Sequence, residues 1–251
     1  MRVVVVGASS GLGRCIGVGL AQRGAQVALL ARRRERLVDA ASEAGKNATA
    51  IECDVTVPAS CQSAVEDAAA ALGGIDGLVY APAIGPLMRL VDTDAETWRR
   101  VFDTNVIGAA SITTAALSHL RSAAGTAVYL SSVSASLTPP WPGLGAYAVS
   151  KAALDKLVEA WRGEHPDVGF TRVVVGDCAG GEGDAMTEFA NGWDRELAGE
   201  LVPTWLACGY MTGTLMPVER LVAVIEMTLQ AGASDSIPSV IVAPRRLATG
   251  S

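Results

Sequence analysis

An N-terminal strand, glycine-rich loop and helix constrain the fold of this chain more than any other feature. An apolar, β-branched run at 2–6 leads into the loop, and an apolar-periodic segment continues from it to Gln22. That order predicts a strand, a turn and a helix. Gly7, Gly11 and Gly13 allow the backbone to turn sharply and to approach a pyrophosphate at the N-terminus of the helix.

The loop has the spacing Gly-x-x-x-Gly-x-Gly, which differs from the Gly-x-Gly-x-x-Gly form of many dinucleotide-binding loops. A plain strand-to-helix turn is the alternative interpretation. The glycines together with two serines exceed what a turn needs, and this favours a nucleotide-binding loop. We therefore expect cofactor contacts from Gly7, Ser9, Ser10, Gly11, Leu12 and Gly13.

Strand and helix patterns alternate along the chain. Strands are predicted at 2–6, 26–31, 48–53, 76–80, 125–131, 168–175 and 238–243. Helices are predicted near 11–23, 33–44, 58–72, 94–120, 146–163 and 217–230. This alternation predicts one α/β domain over 1–251, a Rossmann-like, doubly wound parallel sheet with right-handed crossovers. Ligands of such sheets bind at the carboxyl ends of the strands.

Composition agrees with that fold and argues against several partners. Hydrophobic residues make up 50% of the 251 residues, as expected for strands covered by helices on both faces. The net charge of −6 argues against nucleic acid or an anionic membrane as a partner. Apolar runs stay short of the ~20 residues that span a bilayer, and the first run is too short for a secretory signal.

The cysteines and histidines bear on redox state and metals. There are 5 cysteines without a Cys-x-x-Cys motif, and 2 histidines. The odd number and the missing motif predict reduced thiols in a cytoplasmic protein. So few histidines argue against a zinc site, and we expect no metal.

A tyrosine and a lysine four residues apart form a candidate acid/base pair. Tyr147 and Lys151 lie in a stretch with a helical pattern, which puts both side chains on one face, one turn apart. A nearby cation favours a phenolate and lowers the tyrosine pKa from its usual value of about 10. An amphipathic helix with a solvated lysine is the alternative interpretation of the pair alone.

Taken together, these features resemble the short-chain dehydrogenase/reductase family. The glycine pattern, Asp54-Val55 after the third strand, Asn105 in a helix, the serines at 131–134, and Tyr147 with Lys151 follow that family's order. The resemblance extends over nearly the whole chain. It implies hydride transfer between a nicotinamide cofactor and a carbonyl or alcohol carbon, with a homotetramer or homodimer built on the helices at 94–120 and 146–163.

The resemblance also implies a role for each catalytic residue. Tyr147 would donate its proton to the carbonyl oxygen, and Lys151 would lower the tyrosine pKa and hold the nicotinamide ribose. A serine would hydrogen-bond the same oxygen. Asn105 would help to hold a water that relays protons to Lys151. An asparagine packed against backbone inside a helix is the alternative.

Two serines compete for the catalytic role. Counting from the end of the fifth strand gives Ser132, whereas counting back from Tyr147 by the family's separation gives Ser134. The loop at 137–145 looks two residues longer than usual. Loops absorb insertions cheaply while strand register is fixed, so we choose Ser132. Ser134 would face the same side if the chain stayed extended.

The end of the second strand indicates the cofactor. A preference for NAD is usually marked by a carboxylate where Ala31 stands, and here Arg32 and Arg33 follow instead. Arg32 can pair bidentately with a 2′-phosphate, which predicts NADP(H). A solvated basic turn is the alternative. Asp54 would hold the adenine edge and Val55 its face, although an aspartate there can equally cap the helix before Pro58.

The chain departs from the family at two places. Where members usually have Asn-Asn-Ala-Gly, residues 80–83 are Tyr-Ala-Pro-Ala, so Ala81 and Pro82 take over expected cofactor contacts. Pro82 removes a donor and fixes φ. The second departure is Asp177-Cys178, in place of a Pro-Gly pair in the loop that normally faces the nicotinamide.

The segment 180–216 is the candidate substrate region. It opens with glycines and continues through Trp193, Trp205, Tyr210 and Met211, a pattern that suits a lid over an apolar substrate. A peripheral helical hairpin with packing aromatic residues is the alternative.

We therefore predict an NADP(H)-dependent oxidoreductase that acts on a small ketone or alcohol, with tyrosine as the acid/base. Two alternatives stay open. The first is a catalytically weak, NADP(H)-binding regulatory protein of the same fold, suggested by the two departures. The second is another Rossmann-like enzyme such as a methyltransferase, which would have no use for the Tyr147–Lys151 pair.

Overall fold

The computed structural model describes residues 1–180, 188–232 and 235–245. Within these ranges seven strands form one parallel sheet in the order β3-β2-β1-β4-β5-β6-β7. The strands are β1 Arg2–Val6, β2 Gln26–Ala31, β3 Ala48–Glu52, β4 Gly77–Tyr80, β5 Thr126–Ser132, β6 Gly169–Val175 and β7 Ser239–Val242. All predicted strands are present, with ends within one residue of the expected positions, and the predicted fold class is confirmed.

Helices cover both faces of this sheet. They are α1 Gly11–Gln22, α2 Arg34–Ala44, α3 Pro58–Leu72, α4 Ala95–Phe102, α5 Gly108–Ser122, α6 Val133–Ser136, α7 Gly145–Glu164, α8 Arg195–Ala207 and α9 Val218–Gln230. Buried residues of α1, α2 and α9 pack on one face, and those of α3, α5 and α7 pack on the other. The side chains of Val3 to Val6 are fully buried, which explains the continuous apolar strand pattern.

The helix expected at 94–120 is interrupted. α4 begins after Asp94, whose carboxylate accepts a hydrogen bond from the Thr97 N–H at 2.7 Å. A π-helical segment, Asp103–Ile107, then separates α4 from α5. Such wide turns are frequent at functional sites. Here the turn carries Asn105, whose buried amide bonds to backbone outside the helix.

The order in which successive strands are added to the sheet reverses between β1 and β4. β2 and β3 lie on one side of β1, whereas β4 to β7 lie on the other. Loops after neighbouring strands separate at such a point and leave a cleft at the carboxyl ends. The glycine-rich loop follows β1, and Ser132 ends β5. The topology therefore brings the predicted motifs to one edge of the sheet.

The segment 180–216 contains a helix that the sequence patterns did not assign. α8 is capped by Asp194, which accepts from the Leu197 N–H at 2.8 Å. The start of the segment at 181–187, with most of its glycine-rich opening, lies outside the described residues. An isolated parallel bridge joins Cys178, two residues before the segment, to Met216 at its end.

Candidate active site

A cavity of about 750 Å³ opens at the carboxyl ends of the strands. One end is the glycine-rich loop with the arginines after β2, and the other end is aromatic. Ser132, Tyr147 and Lys151 lie between them. The predicted site residues that line the cavity are Gly7, Ser9, Ser10, Gly11, Leu12, Gly13, Arg32, Arg33, Val55, Ala81, Pro82, Ser132, Tyr147 and Lys151. Asp54 and Asn105 do not line it.

The glycine-rich loop needs glycine for two physical reasons. Gly7 has φ of +80°, a conformation that other residues rarely adopt. A Cβ atom on Gly13 would lie 2.3 Å from the Gly7 carbonyl oxygen. The loop therefore passes tightly into α1. Ser10, at the N-cap position, makes no side-chain cap hydrogen bond, which suits an anion at this helix terminus.

The two arginines after β2 are placed differently. Arg33 Nε and Nη2 donate to Ser9 Oγ at 3.2 and 3.0 Å, and Nη2 also donates to the Ser10 hydroxyl. The positive charge of Arg32 acts instead on Asp54, where it lowers the pKa of the carboxyl group. Sequence reasoning gave Arg32 the leading role. In the structure it is Arg33 that contacts the hydroxyl groups of Ser9 and Ser10 in the glycine-rich loop.

Asp54 folds its carboxylate into a local turn. Its Oδ1 accepts from the Thr56 N–H at 2.9 Å and from the Thr56 hydroxyl at 2.7 Å. Burial acts to raise the pKa of Asp54, but the Thr56 hydrogen bonds and the charge of Arg32 outweigh it and hold the pKa low. The N-cap residue of α3 is Val57, so Asp54 caps a turn and not the helix. Val55 lines the cavity as expected.

Ser132 is the serine next to Tyr147. It is the last residue of β5, and a hydrogen bond with its hydroxyl acts on the Tyr147 phenol. The chain does not stay extended beyond it, because α6 begins at Val133. Ser134 instead turns back, with its hydroxyl 2.9 Å from Ser132 Oγ and its N–H donating to the same atom at 3.2 Å. Ser132 is thus the serine that acts on the Tyr147 phenol, and its catalytic role stays a prediction.

The phenol of Tyr147 is held in its neutral form. Burial raises the pKa of Tyr147 to about 12, and the Ser132 hydrogen bond offsets only part of that rise. This direction is opposite to the lowering that we expected from Lys151. The ammonium nitrogen lies 5.8 Å from the centre of the tyrosine ring and does not compensate for the lost hydration.

Lys151 is buried deep in the wall of the cavity. It is 2% exposed, and its Nζ donates to the Leu130 carbonyl at 2.7 Å. Burial lowers the pKa of Lys151 to about 8, while the negative charge of Asp155 acts to raise it. At neutral pH the group is therefore mostly protonated.

Asn105 holds two elements together. Its Oδ1 accepts from the Ile84 N–H at 2.8 Å, and its Nδ2 donates to the Ile84 carbonyl and to Ser150 Oγ, both at 2.9 Å. Both amide hydrogens are thus used. The geometry is that of the alternative interpretation, an asparagine packed against backbone, and the water-holding role stays a prediction.

Both departures from the family pattern have structural counterparts. Tyr80 is fully buried, and its hydroxyl donates to the Thr104 carbonyl in the π-helical segment. Pro82 packs against the first glycine of the loop, since a Cβ on Gly7 would lie 2.9 Å from its nitrogen. Asp177 accepts from the Thr212 N–H at 2.8 Å, which ties the loop after β6 to the end of the aromatic segment.

Four aromatic side chains, here called the aromatic wall, line the far end of the cavity: Trp141, Phe189, Trp193 and Trp205. Phe189 lies 4.7 Å from the Tyr147 ring, measured between centroids. The ring centroids of Phe189 and Trp193 are 5.4 Å apart, and those of Trp193 and Trp205 are 5.9 Å apart. The centroids of Trp205 and Trp141 are 5.3 Å apart. Sequence reasoning missed Phe189 and Trp141, although Trp141 stands in the long loop that it noted.

The described residues contain no group of three or more His, Cys, Asp and Glu side chains arranged to hold a metal ion. The 5 cysteines are all free. Within the same described ranges, every helix is too short or too polar to cross a bilayer.

Comparison with known proteins identifies the family. The sequence model of the short chain dehydrogenase family matches residues 1–199, and the chain belongs to that family. This assignment sets aside the methyltransferase interpretation. The 11-beta-hydroxysteroid dehydrogenase 1A of Arabidopsis thaliana is 36% identical over 180 residues, which cover 69% of this chain and 51% of that protein. The chain thus spans about half the length of the curated relatives it matches.

Solved structures match nearly the full length. An alcohol dehydrogenase from the archaeon Thermococcus sibiricus, complexed with 5-hydroxy-NADP, superposes with a TM-score of 0.79 at 21% identity, over 96% of this chain and 94% of that one. The 3-ketoacyl-(acyl-carrier-protein) reductase of Brucella melitensis, complexed with NADH, gives 0.80 at 22% identity, over 97% of both chains. At these identities the likeness establishes the fold alone.

Proposed function

We propose that this protein is an NADP(H)-dependent oxidoreductase that interconverts an apolar ketone and the corresponding alcohol. The observation that carries the proposal is the position of Ser132, Tyr147 and Lys151 on one wall of a cavity whose end is the glycine-rich loop. The names of the relatives support it, since the matched Arabidopsis protein is called a hydroxysteroid dehydrogenase. Two structural neighbours hold nicotinamide cofactors.

The residues present fit such a cofactor. The glycine loop passes tightly into α1, where a Cβ on Gly13 would lie 2.3 Å from the Gly7 carbonyl oxygen, and the N-terminus of α1 offers backbone donors to a pyrophosphate. Val55 would pack on the adenine, and the ammonium of Lys151 would hold the nicotinamide ribose. When bound, the nicotinamide supplies or accepts the hydride, and the protein orients and polarises the substrate.

The protonation state of Tyr147 favours reduction at neutral pH. With a pKa of about 12 the phenol carries its proton and can donate it to a carbonyl oxygen. Ser132 would hydrogen-bond the same oxygen and stabilise the negative charge that develops there. Its own hydrogen bond with Ser134 leaves the Ser132 hydroxyl oriented within the site.

Arg33 and Arg32 support NADP(H) over NAD(H). The Arg33 guanidinium already lies at the Ser9 and Ser10 hydroxyls, and Arg32 stands beside it on the same cavity rim. A 2′-phosphate there would accept charge-assisted hydrogen bonds from one or both side chains. Ala31 leaves no carboxylate to oppose that charge.

The aromatic wall supports an apolar, uncharged substrate. Trp193 Nε1 donates to the Gly85 carbonyl at 2.8 Å, and Trp205 Nε1 donates to the Pro142 carbonyl at 3.0 Å. Trp141 Nε1 donates to Thr138 Oγ1 at 2.9 Å. Each indole N–H already has a hydrogen-bond partner. A ligand bound at the wall would therefore contact the faces and edges of aromatic rings and would find few polar groups. We infer that the part of the substrate remote from the carbonyl is hydrocarbon.

Steady-state NADPH oxidation with a panel of ketones tests the function. Apolar ring ketones should be turned over, charged ketones should be poor substrates, and Tyr147→Phe should be inactive on each of them. Turnover that survives Tyr147→Phe would contradict the proposed mechanism.

One observation favours a second candidate, a catalytically weak, NADP(H)-binding regulatory protein. Pro82 packs on Gly7 of the glycine-rich loop, where the family usually has the smaller alanine. This candidate predicts NADPH binding without turnover of any ketone in the panel, whereas the enzyme predicts both.

The remaining features of the protein follow as proposals. We propose a single domain over 1–251 in which 180–216 covers the substrate. Val149 on α7 and Ile107 beside α5 are 46% and 51% exposed, which supports association through these helices into a dimer or tetramer. Sedimentation equilibrium would measure the assembly. A cytoplasmic location stays a prediction.

A further inference from the structure

A buried carboxylate that the proposed mechanism does not use lies one helical turn beyond Lys151. Asp155 is 4% exposed, and Lys151 is 2% exposed. Both belong to α7, and side chains four residues apart on a helix have Cβ atoms about 5–6 Å from each other. A buried charge is costly unless other groups compensate for it, so this pair calls for a physical explanation.

Groups from three elements face the Asp155 carboxylate. From β6, Arg172 Nη1 lies 3.4 Å from Oδ2, and the same nitrogen contacts Glu159 of α7 at 3.3 Å. From β5, the Ser131 hydroxyl acts to lower the pKa of Asp155. Among the described residues, Ser131 Oγ and Asp155 Oδ1 are buried atoms for which no partner meets the geometry of a hydrogen bond. From α7 itself, the positive charge of the Lys151 ammonium also acts on Asp155 and lowers its pKa.

We propose that Asp155 is a positioning residue that keeps Lys151 protonated inside the site. The arrangement is a row of alternating charge, from Arg172 at the half-exposed edge through Asp155 to Lys151 at the cavity. The proposal rests on the proposed function, in which the Lys151 ammonium binds the nicotinamide ribose and supports Tyr147.

The electrostatics have a defined sign. Burial lowers the pKa of Lys151 to about 8, and Asp155 opposes that lowering. Burial likewise raises the pKa of Asp155, while Ser131, Arg172 and Lys151 act to lower it. The ammonium is therefore charged below about pH 8 and loses its proton as the pH rises. Without the carboxylate, that loss moves to lower pH.

The pH dependence of NADPH affinity tests the proposal without requiring a known substrate. Fluorescence titration of the full chain should show about a five- to tenfold loss of affinity as Lys151 deprotonates, because a charge-assisted hydrogen bond becomes a neutral one. In Asp155→Asn the midpoint of that loss should fall by about one pH unit or more. Lys151→Met should show no such transition, which assigns the transition to this lysine.

Two further variants separate electrostatics from packing. Glu159→Gln removes the same charge from the same helix at a partly exposed position, and it should leave the midpoint nearly unchanged. Asp155→Glu keeps the charge and should restore the wild-type midpoint. A purely structural Asp155 could weaken binding in Asp155→Asn, but it would not move the midpoint.

Several outcomes would overturn the proposal. One is an unchanged midpoint for the pH-dependent loss of NADPH affinity in Asp155→Asn. Another is a shift of that midpoint in Glu159→Gln as large as the shift in Asp155→Asn. If Asp155→Asn does not fold, Asp155→Ser removes the same charge and carries the test, and an unchanged midpoint there contradicts the proposal. Wild-type protein that does not bind NADPH would instead contradict the proposed function itself.

Discussion

At the glycine end of the cavity the wall includes a glycine-rich backbone loop, whereas at the aromatic end it is built from ring side chains. The glycine end consists of the loop between β1 and α1 with the start of that helix, joined by Arg32 and Arg33 after β2. The aromatic wall is assembled from separate stretches of chain, with Trp141 in the loop before α7, Phe189 and Trp193 ahead of α8, and Trp205 on α8.

The difference teaches that the two ends can change independently. A backbone cradle depends on glycine conformations and on close approach, so substitutions within it disturb the fold. A wall of side chains can be altered residue by residue while the sheet stays intact. Cofactor affinity and substrate affinity should therefore respond to different variants, and the catalytic residues between the two ends should affect turnover more than either affinity.

The largest expected effect is on turnover alone. Tyr147→Phe should reduce the rate of ketone reduction by up to about 10⁴-fold, the upper range for losing a general acid. NADPH affinity should stay within a factor of about two, because the hydroxyl acts on substrate and not on cofactor. Lys151→Ala, by contrast, should impair both. Parallel NADPH titration and turnover assays measure this difference, and a large loss of NADPH affinity in Tyr147→Phe would break the separation.

The next effect distinguishes the two serines. Ser132→Ala should lower the catalytic rate by about 10²-fold or more, as for the loss of one donor to a developing oxyanion. Ser134→Ala is the matched control and should cost much less, since Ser134 contacts the Ser132 hydroxyl and lies one step further from Tyr147. The reverse order of the two rates would assign the catalytic role to Ser134.

A smaller effect should appear at the glycine end only. A variant with both Arg32→Ala and Arg33→Ala should lose about tenfold or more in NADPH affinity, because one charge-assisted pair contributes roughly 1.5–3 kcal/mol. NADH affinity should change little. Arg34→Ala removes the same charge from an exposed neighbour outside the cavity and serves as the control. Equal losses for the two cofactors would remove the argument for a 2′-phosphate site.

The contrast between the two ends also explains what the sequence could predict. The strands were predictable because buried parallel strands need unbroken apolar runs such as Val3 to Val6, and glycines mark the loop that follows. The positions of Ser132, Tyr147 and Lys151 at the cavity were predictable because these residues follow the family's order along the chain, and their catalytic roles stay predictions. Each of these signals is local in sequence.

The features that sequence patterns missed depend on contacts between distant residues. The π-helical turn carries Asn105, which bonds to Ile84 on another segment, and no periodicity encodes that contact. Phe189 reaches Tyr147 only through the packing of the segment ahead of α8. The direction of the Tyr147 pKa was also wrong, because helical spacing gives the distance to Lys151 but not the burial that outweighs it.

The smallest expected effect is confined to the aromatic end. Trp193→Ala should raise KM for an apolar ring ketone about three- to tenfold, since one aromatic contact contributes about 0.5–1.5 kcal/mol beyond its buried area. NADPH affinity and the rate at saturating ketone should change little, because the Trp193 ring contacts Phe189, and it is Phe189 that contacts the Tyr147 ring. Trp98→Ala removes an indole that does not line the cavity and controls for general destabilisation. A KM that stays constant in Trp193→Ala, or one that rises equally in Trp98→Ala, would show that the aromatic wall packs the segment 180–216 without contacting substrate.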